Sequence, residues 1–138
     1  MREYKFRGFD SNIDLWRYGS LRMIKGFIAP FSLDYLISFY DEQGHYCEYY
    51  VKPETVGQYT GVDSTEGSKI YEGDIIKVEG ESIGQVYFFS GNYCIDYIND
   101  DHNDNESYST VGNMDCLNVE IIGNIHQNLK LLEIKKSD

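Results

Sequence analysis

The sequence is poor in the features that usually identify a function. It has two prolines, Pro30 and Pro53, and three cysteines, Cys47, Cys94 and Cys116. No stretch approaches the roughly 20 apolar residues of a membrane-crossing helix, so a transmembrane role is not expected. The start, MREYKFRGFD, alternates charged and apolar residues and lacks the apolar centre of a secretory signal. The cysteines are odd in number, far apart and free of any C-x-x-C spacing, so they are expected to be reduced thiols of a cytoplasmic protein. Low proline with an aromatic share of 15% argues against general disorder.

Bases are scarce as well. Twelve Lys and Arg face 23 Asp and Glu, for a net charge of −11. The bases cluster early. Arg2, Lys5, Arg7, Arg17, Arg22 and Lys25 meet three acids within residues 1–30, a balance of +3, which leaves −14 on the other 108 residues. Affinity for a nucleic-acid backbone comes from neutralising phosphates, so a broad nucleic-acid surface is not expected. The basic head is read as offsetting the acidic body, within a subunit or across a subunit contact. The sharper alternative is a local anion or nucleic-acid contact.

Catalytic and metal-binding patterns are missing too. His45 and Cys47 would share one face of a strand, but two ligands do not make a structural zinc site, and His102, His126, Cys94 and Cys116 are not spaced to complete one. NDDHNDNE resembles a calcium loop only in charge, because the Asp-x-Asp-x-Asp-Gly register is absent. Cys94, in NYCID, sits among apolar residues, the setting of an inert core thiol rather than a nucleophile. GESIGQ and GVDSTEGSK lack phosphate-loop spacing. The expectation is no enzyme, no cofactor and no metal.

What the chain has is aromatic residues: 13 Tyr, 7 Phe and one Trp. They suit a pleated, half-buried surface, and alternation supports strands. EYKFRGFD reads as a strand and LWRYGSLRMI as a second pairing back on it. Leu33–Tyr40 and Tyr46–Val51 read as a hairpin around Asp41–Gly44. Val56–Thr60, Asp74–Val78, Gln85–Phe89, Tyr93–Ile98 and Val119–Ile125 read as further strands, with a tight turn at SGN. Asn99–Thr110 is polar and acidic, the pattern of a mobile surface loop. Leu129–Ile134 reads as a short helix or a last strand. Many short strands point to small barrels or half-barrels, which would also remove exposed edges.

Three blocks carry a resemblance: REYKFRGFD, TVGQYTGVDSTEGSKIYEGDIIKV (Thr55–Val78) and VEIIGNIHQN (Val119–Asn128). In this order and spacing the sequence resembles the YopX family, small proteins of bacterial phages and prophages. The resemblance implies a mainly β protein: an SH3-like barrel over residues 54–138, a β-rich segment over 1–53 and a short C-terminal helix. It also implies action in the bacterial cytoplasm, and it supplies no catalytic residues. SH3-like barrels hold peptides or nucleic acid with aromatic loops, so Tyr59, Thr60, Tyr71 and Asp74 are the candidate binding edge.

The 21 aromatic side chains exceed what a core of this size readily hides, so some are expected at the surface. The functional expectation is therefore a non-catalytic accessory protein. It works by protein–protein contact, as a homo-oligomer or with a host or phage protein. The alternatives are a nucleic-acid-associated module and an acidic decoy of a host DNA-binding protein.

Overall fold

The structure is a computed structural model, and it describes residues 3–26, 32–98, 109–114 and 117–133. The predicted acidic loop falls mostly outside these residues, as do Pro30, Cys116 and the lysines at 135 and 136. Among the described residues eleven strands form two antiparallel sheets. The chain divides into two compact units, Met1–Tyr59 and Thr60–Asp138.

The first unit is a meander of four strands joined by the start of a fifth, which pairs back on the first. It contains β1 (Phe6–Asp10), β2 (Leu15–Lys25), β3 (Leu33–Tyr40), β4 (Tyr46–Val51) and the start of β5 (Gly57–Asp63). The strand order is β4-β3-β2-β1-β5, continuing to β6 (Lys69–Tyr71). The long β2 changes partner along its length. Leu15–Gly19 pair with β1, and Ser20–Lys25 pair with β3. After β4 the chain makes a single 3-10 turn at Pro53–Thr55, where proline at the first position leaves no helical hydrogen bond unmade. That turn returns the chain to β1. The Lys52 N–H donates to the Phe9 carbonyl at 2.9 Å, and the Phe9 N–H donates to Thr55 Oγ1 at 2.8 Å. These bonds prolong the β1–β5 pairing, which is why the division falls after Tyr59 rather than at Pro53.

The second unit holds β7 (Asp74–Val78), β8 (Ser82–Phe89) and β9 (Asn92–Tyr97) as a meander. It is flanked by β10 (Ser109–Thr110) and β11 (Val119–Asn124), in the order β10-β9-β8-β7-β11. Its core is Ile70, Ile76, Val78, Val86, Ile95, Val111 and Val119, with Val62, Tyr93, Tyr97 and Ile121 packed around. Branched aliphatic side chains at alternating positions of β7, Ile76 and Val78, together with Val86 of β8, supply the buried face.

Two expectations are corrected. Among the described residues the sheets do not close into a barrel: β10 and β11 end one sheet, and β4 and β6 end the other. Among the described residues the expected C-terminal helix is one 3-10 turn, Leu129–Leu132, without a buried residue, and Ile134 lies outside them. Four residues make too few hydrogen bonds to offset the cost of starting an α-helix.

Candidate functional site

The middle and last of the three blocks that carry the family resemblance hold the second unit together. In IYEGD, Gly73 takes a positive φ of 94°, which lets the chain turn sharply into β7. The buried Asp74 carboxylate accepts the Tyr71 N–H at 2.7 Å across that turn. The Gly73 N–H donates to the Val86 carbonyl at 2.8 Å, and the Gly73 carbonyl accepts the Ile125 N–H at 2.9 Å. The preceding loop grips the other end of β11. The Thr65 N–H donates to the Val119 carbonyl at 2.9 Å, and the Val119 N–H donates to Thr65 Oγ1 at 2.7 Å. In GNIHQN, Asn124 Oδ1 accepts the N–H groups of His126 and Gln127, both at 3.0 Å, and Asn128 Oδ1 accepts the Asn124 N–H at 3.1 Å. Asparagine suits this place because its side chain mimics a turn of backbone.

The predicted binding residues lie within this framework. Tyr59, Tyr71 and Asp74 are 7%, 3% and 2% exposed. Thr60, half-buried, donates its hydroxyl to the Ile70 carbonyl at 2.8 Å. Little of these side chains is left for a ligand to touch.

Exposed aromatic residues lie elsewhere: Phe88 and Phe89 at the end of β8, and a larger group on the β2–β4 sheet of the first unit. Register places Trp16, Tyr18, Ser20, Arg22 and Ile24 of β2 on one face with Asp34, Leu36, Ser38 and Tyr40 of β3 and Tyr46, Glu48 and Tyr50 of β4. Tyr40, Tyr46 and Tyr50 are 73%, 59% and 55% exposed. Tyr40 and Tyr46 are cross-strand partners, with ring centroids 5.6 Å apart and edge to face. Between the rings Arg22 donates to both carboxylate oxygens of Glu48, with Nε to Oε2 at 2.9 Å, and the Tyr46 hydroxyl donates to Oε2 at 3.1 Å. The Arg22 hydrogen bond is the main cause that holds the Glu48 carboxyl below the usual carboxylate range. The small Ser38 lies between Ser20 and Glu48 in the register, which leaves room for Arg22 to reach across β3.

The opposite face is packed. Arg17 lies over the Tyr49 ring, 3.6 Å from its centroid, and its Nε and terminal nitrogen each lie 3.2 Å from Asp10 Oδ2. Tyr49 stacks on Phe39 at 5.9 Å. On the face that carries Trp16 and Tyr18, Arg7 is buried and lies 4.8 Å from the Trp16 ring centre. Three arginines of the basic head therefore have partners within the first unit. That unit carries seven bases against eight acids, whereas residues 60–138 carry five against fifteen, a net −10.

Other chemistry is sparse. His45 Nδ1 lies 3.4 Å from Asp41 Oδ2, and Cys47 Sγ lies 4.0 Å from the same oxygen. Among the described residues no group of three or more His, Cys, Asp or Glu is arranged to hold a metal ion. Cys94 is buried, its thiol 3.7 Å from the Asn92 carbonyl. In the second unit a cavity of about 380 Å³ is lined by Gln85, Asp96, Tyr97, Ile98, Leu129, Leu132 and Glu133. Among the described residues no helix is long and apolar enough to cross a membrane.

Two antiparallel sheets define a mainly β protein, with exposed tyrosines on one face of the β2–β4 sheet. The family model described as "YopX protein" matches residues 5–133, and the chain belongs to the YopX family. It is similar in fold to a solved structure, the protein EF1440 from Enterococcus faecalis, with a TM-score of 0.52 and 16% identity over 96% of this chain and 99% of that one. No curated protein matches.

Proposed function

We propose that this YopX-family chain is a non-catalytic contact protein that self-associates, an accessory product of a phage or prophage acting in the bacterial cytoplasm. The observation that carries this reading is the face with Tyr40, Tyr46 and Tyr50, each more than half exposed and aligned on one side of β3–β4. Tyrosine is favoured at interfaces because its ring buries area while its hydroxyl keeps a polar partner. The near-neutral charge of the first unit supports it, since copies of a chain at −11 repel least where charge is balanced. We read the second unit as an open relative of SH3-like barrels, on its meander of short strands and its 3-10 turns.

The −10 of residues 60–138 supports a second reading, an acidic decoy that occupies a host DNA-binding protein. Sedimentation velocity of the pure protein, beside capture of bound proteins from lysate with and without nuclease, separates the two readings. A defined oligomer of the pure chain is the expected result. A monomer at high concentration that retains a DNA-binding protein from nuclease-treated lysate would overturn the first reading in favour of the second.

A further inference from the structure

We propose that two copies of the chain join through β4, edge to edge and antiparallel, into one continuous sheet. This rests on the self-association proposed above and names its surface. β4 is the last strand of its sheet. The Asp41 N–H donates to the His45 carbonyl at 2.9 Å, and antiparallel hydrogen bonding alternates from that pair onward. Cys47, Tyr49 and Val51 therefore bond to β3. The backbone groups of Tyr46, Glu48 and Tyr50 point away from it, towards the open edge.

Proteins normally blunt such an edge with charge, proline or a bulge. β4 has none of these within Tyr46–Val51 except Glu48, and that carboxylate is drawn inland by Arg22. An unblunted edge is one that something covers.

The charges at its two ends select a second copy as that occupant, and select direction. The exposed Lys52 follows β4, and the hairpin loop before β4 carries Asp41 and the exposed Glu42. Antiparallel self-pairing sets the Lys52 end of each copy beside the Asp41–Gly44 loop of the other, twice by symmetry. Parallel pairing sets like against like. A register centred on Glu48 uses all three outward-facing residues. It brings Tyr46 opposite the partner's Tyr50 on the exposed face, and Cys47 opposite the partner's Tyr49 on the other. A two-fold axis closes this arrangement as a dimer.

The test is cysteine cross-linking of the full-length protein, with Tyr49→Cys beside the native Cys47. Residues 47 and 49 would face each other as a pair without mutual hydrogen bonds, at about 4.5 Å between Cα atoms, within disulfide reach. Mild oxidation is expected to give a dimer whose linked peptides join residue 49 to residue 47, and Tyr49→Cys/Cys47→Ser is expected to lose it. Lys52→Glu, at an exposed position that leaves the fold alone, is expected to weaken the dimer about tenfold in sedimentation. An oligomer that Lys52→Glu leaves unchanged and that never forms the 47–49 link would overturn the β4 pairing while keeping self-association. A monomer in every variant and in the wild type would overturn both.

Discussion

Gly8 and Val51 give a stability prediction whose size and sign follow from geometry. A Cβ added at Gly8 would lie 2.5 Å from Val51 Cγ2, 2.8 Å from its Cβ and 3.1 Å from its Cγ1. Val51 is buried, so its side chain has nowhere to go and the strands must part by several tenths of an ångström. Overpacking of this kind costs about 1–3 kcal/mol. Gly8 does not have a positive φ, so alanine also restricts the unfolded chain, which returns about 0.4–1 kcal/mol. Gly8→Ala alone should therefore destabilise by roughly 1–2 kcal/mol. Val51→Ala alone should cost roughly 2 kcal/mol, the transfer and cavity cost of two methyl groups.

Together the two changes should cost less than their sum. The contacts to Cγ1 and Cγ2 vanish, and only the Cβ contact remains. The coupling should be about 1 kcal/mol, outside the roughly 0.3–0.5 kcal/mol scatter of independent sites. Urea unfolding of the four proteins, with m-values compared, measures it. Strict additivity would refute the contact between Gly8 and Val51 as the reason for glycine at that position.

Three further outcomes are expected. Asn124→Ala should destabilise by about 1–3 kcal/mol in urea, because the His126 and Gln127 N–H groups lose their acceptor, whereas Asn124→Asp should retain most of the turn. Asp74→Ala should cost at least as much, since it strands the Tyr71 N–H inside the protein, and amide exchange at Tyr71 should rise with it. Arg22→Ala should raise the Glu48 carboxyl towards its ordinary value in a carbon-detected NMR titration. Because the folded value is lowered, the pair's contribution to stability holds at neutral pH. It is lost as pH falls below the ordinary carboxylate range and through the lowered value. A Glu48 titration unchanged by Arg22→Ala would rule out the pairing.

Strand identity was legible wherever the period of two was clear, as in β1, β7 and the β3–β4 hairpin around Asp41–Gly44. Edges were less legible. The strand predicted over Gln85–Phe89 stops short of Gly84, yet Gly84 lies inside β8, where a Cβ would come within 2.6 Å of an Ile95 side-chain carbon. The need for that gap comes from the neighbouring strand and leaves no local trace. The two-residue β10 is too short to show a period. Tyr59 and Tyr71 read as aromatic loop residues, but the aromatic pattern is the same for a ring that lines a groove and a ring that fills a core. The exposed tyrosines did leave a signal. Tyr40, Tyr46 and Tyr50 fall on one face once a hairpin closes at Asp41–His45, and that register was implicit in the predicted loop.

The pairing of β11 with β7 has a consequence for the order in which the chain folds. In the first unit β1 to β4 are neighbours in sequence and β5 returns to β1, while in the second β7, β8 and β9 are neighbours, so these meanders can form as they leave the ribosome. β11 is different. Val119 pairs with Val78 some forty residues earlier, and it also completes the buried cluster around Ile76. Until synthesis passes Asn124, β7 is a bare hydrophobic edge. A stalled or clipped chain ending before β11 would carry Ile75, Ile76 and Val78 along an unpaired strand, the form most prone to aggregate. The strand Val119–Asn124 thus decides whether the β7 edge is covered.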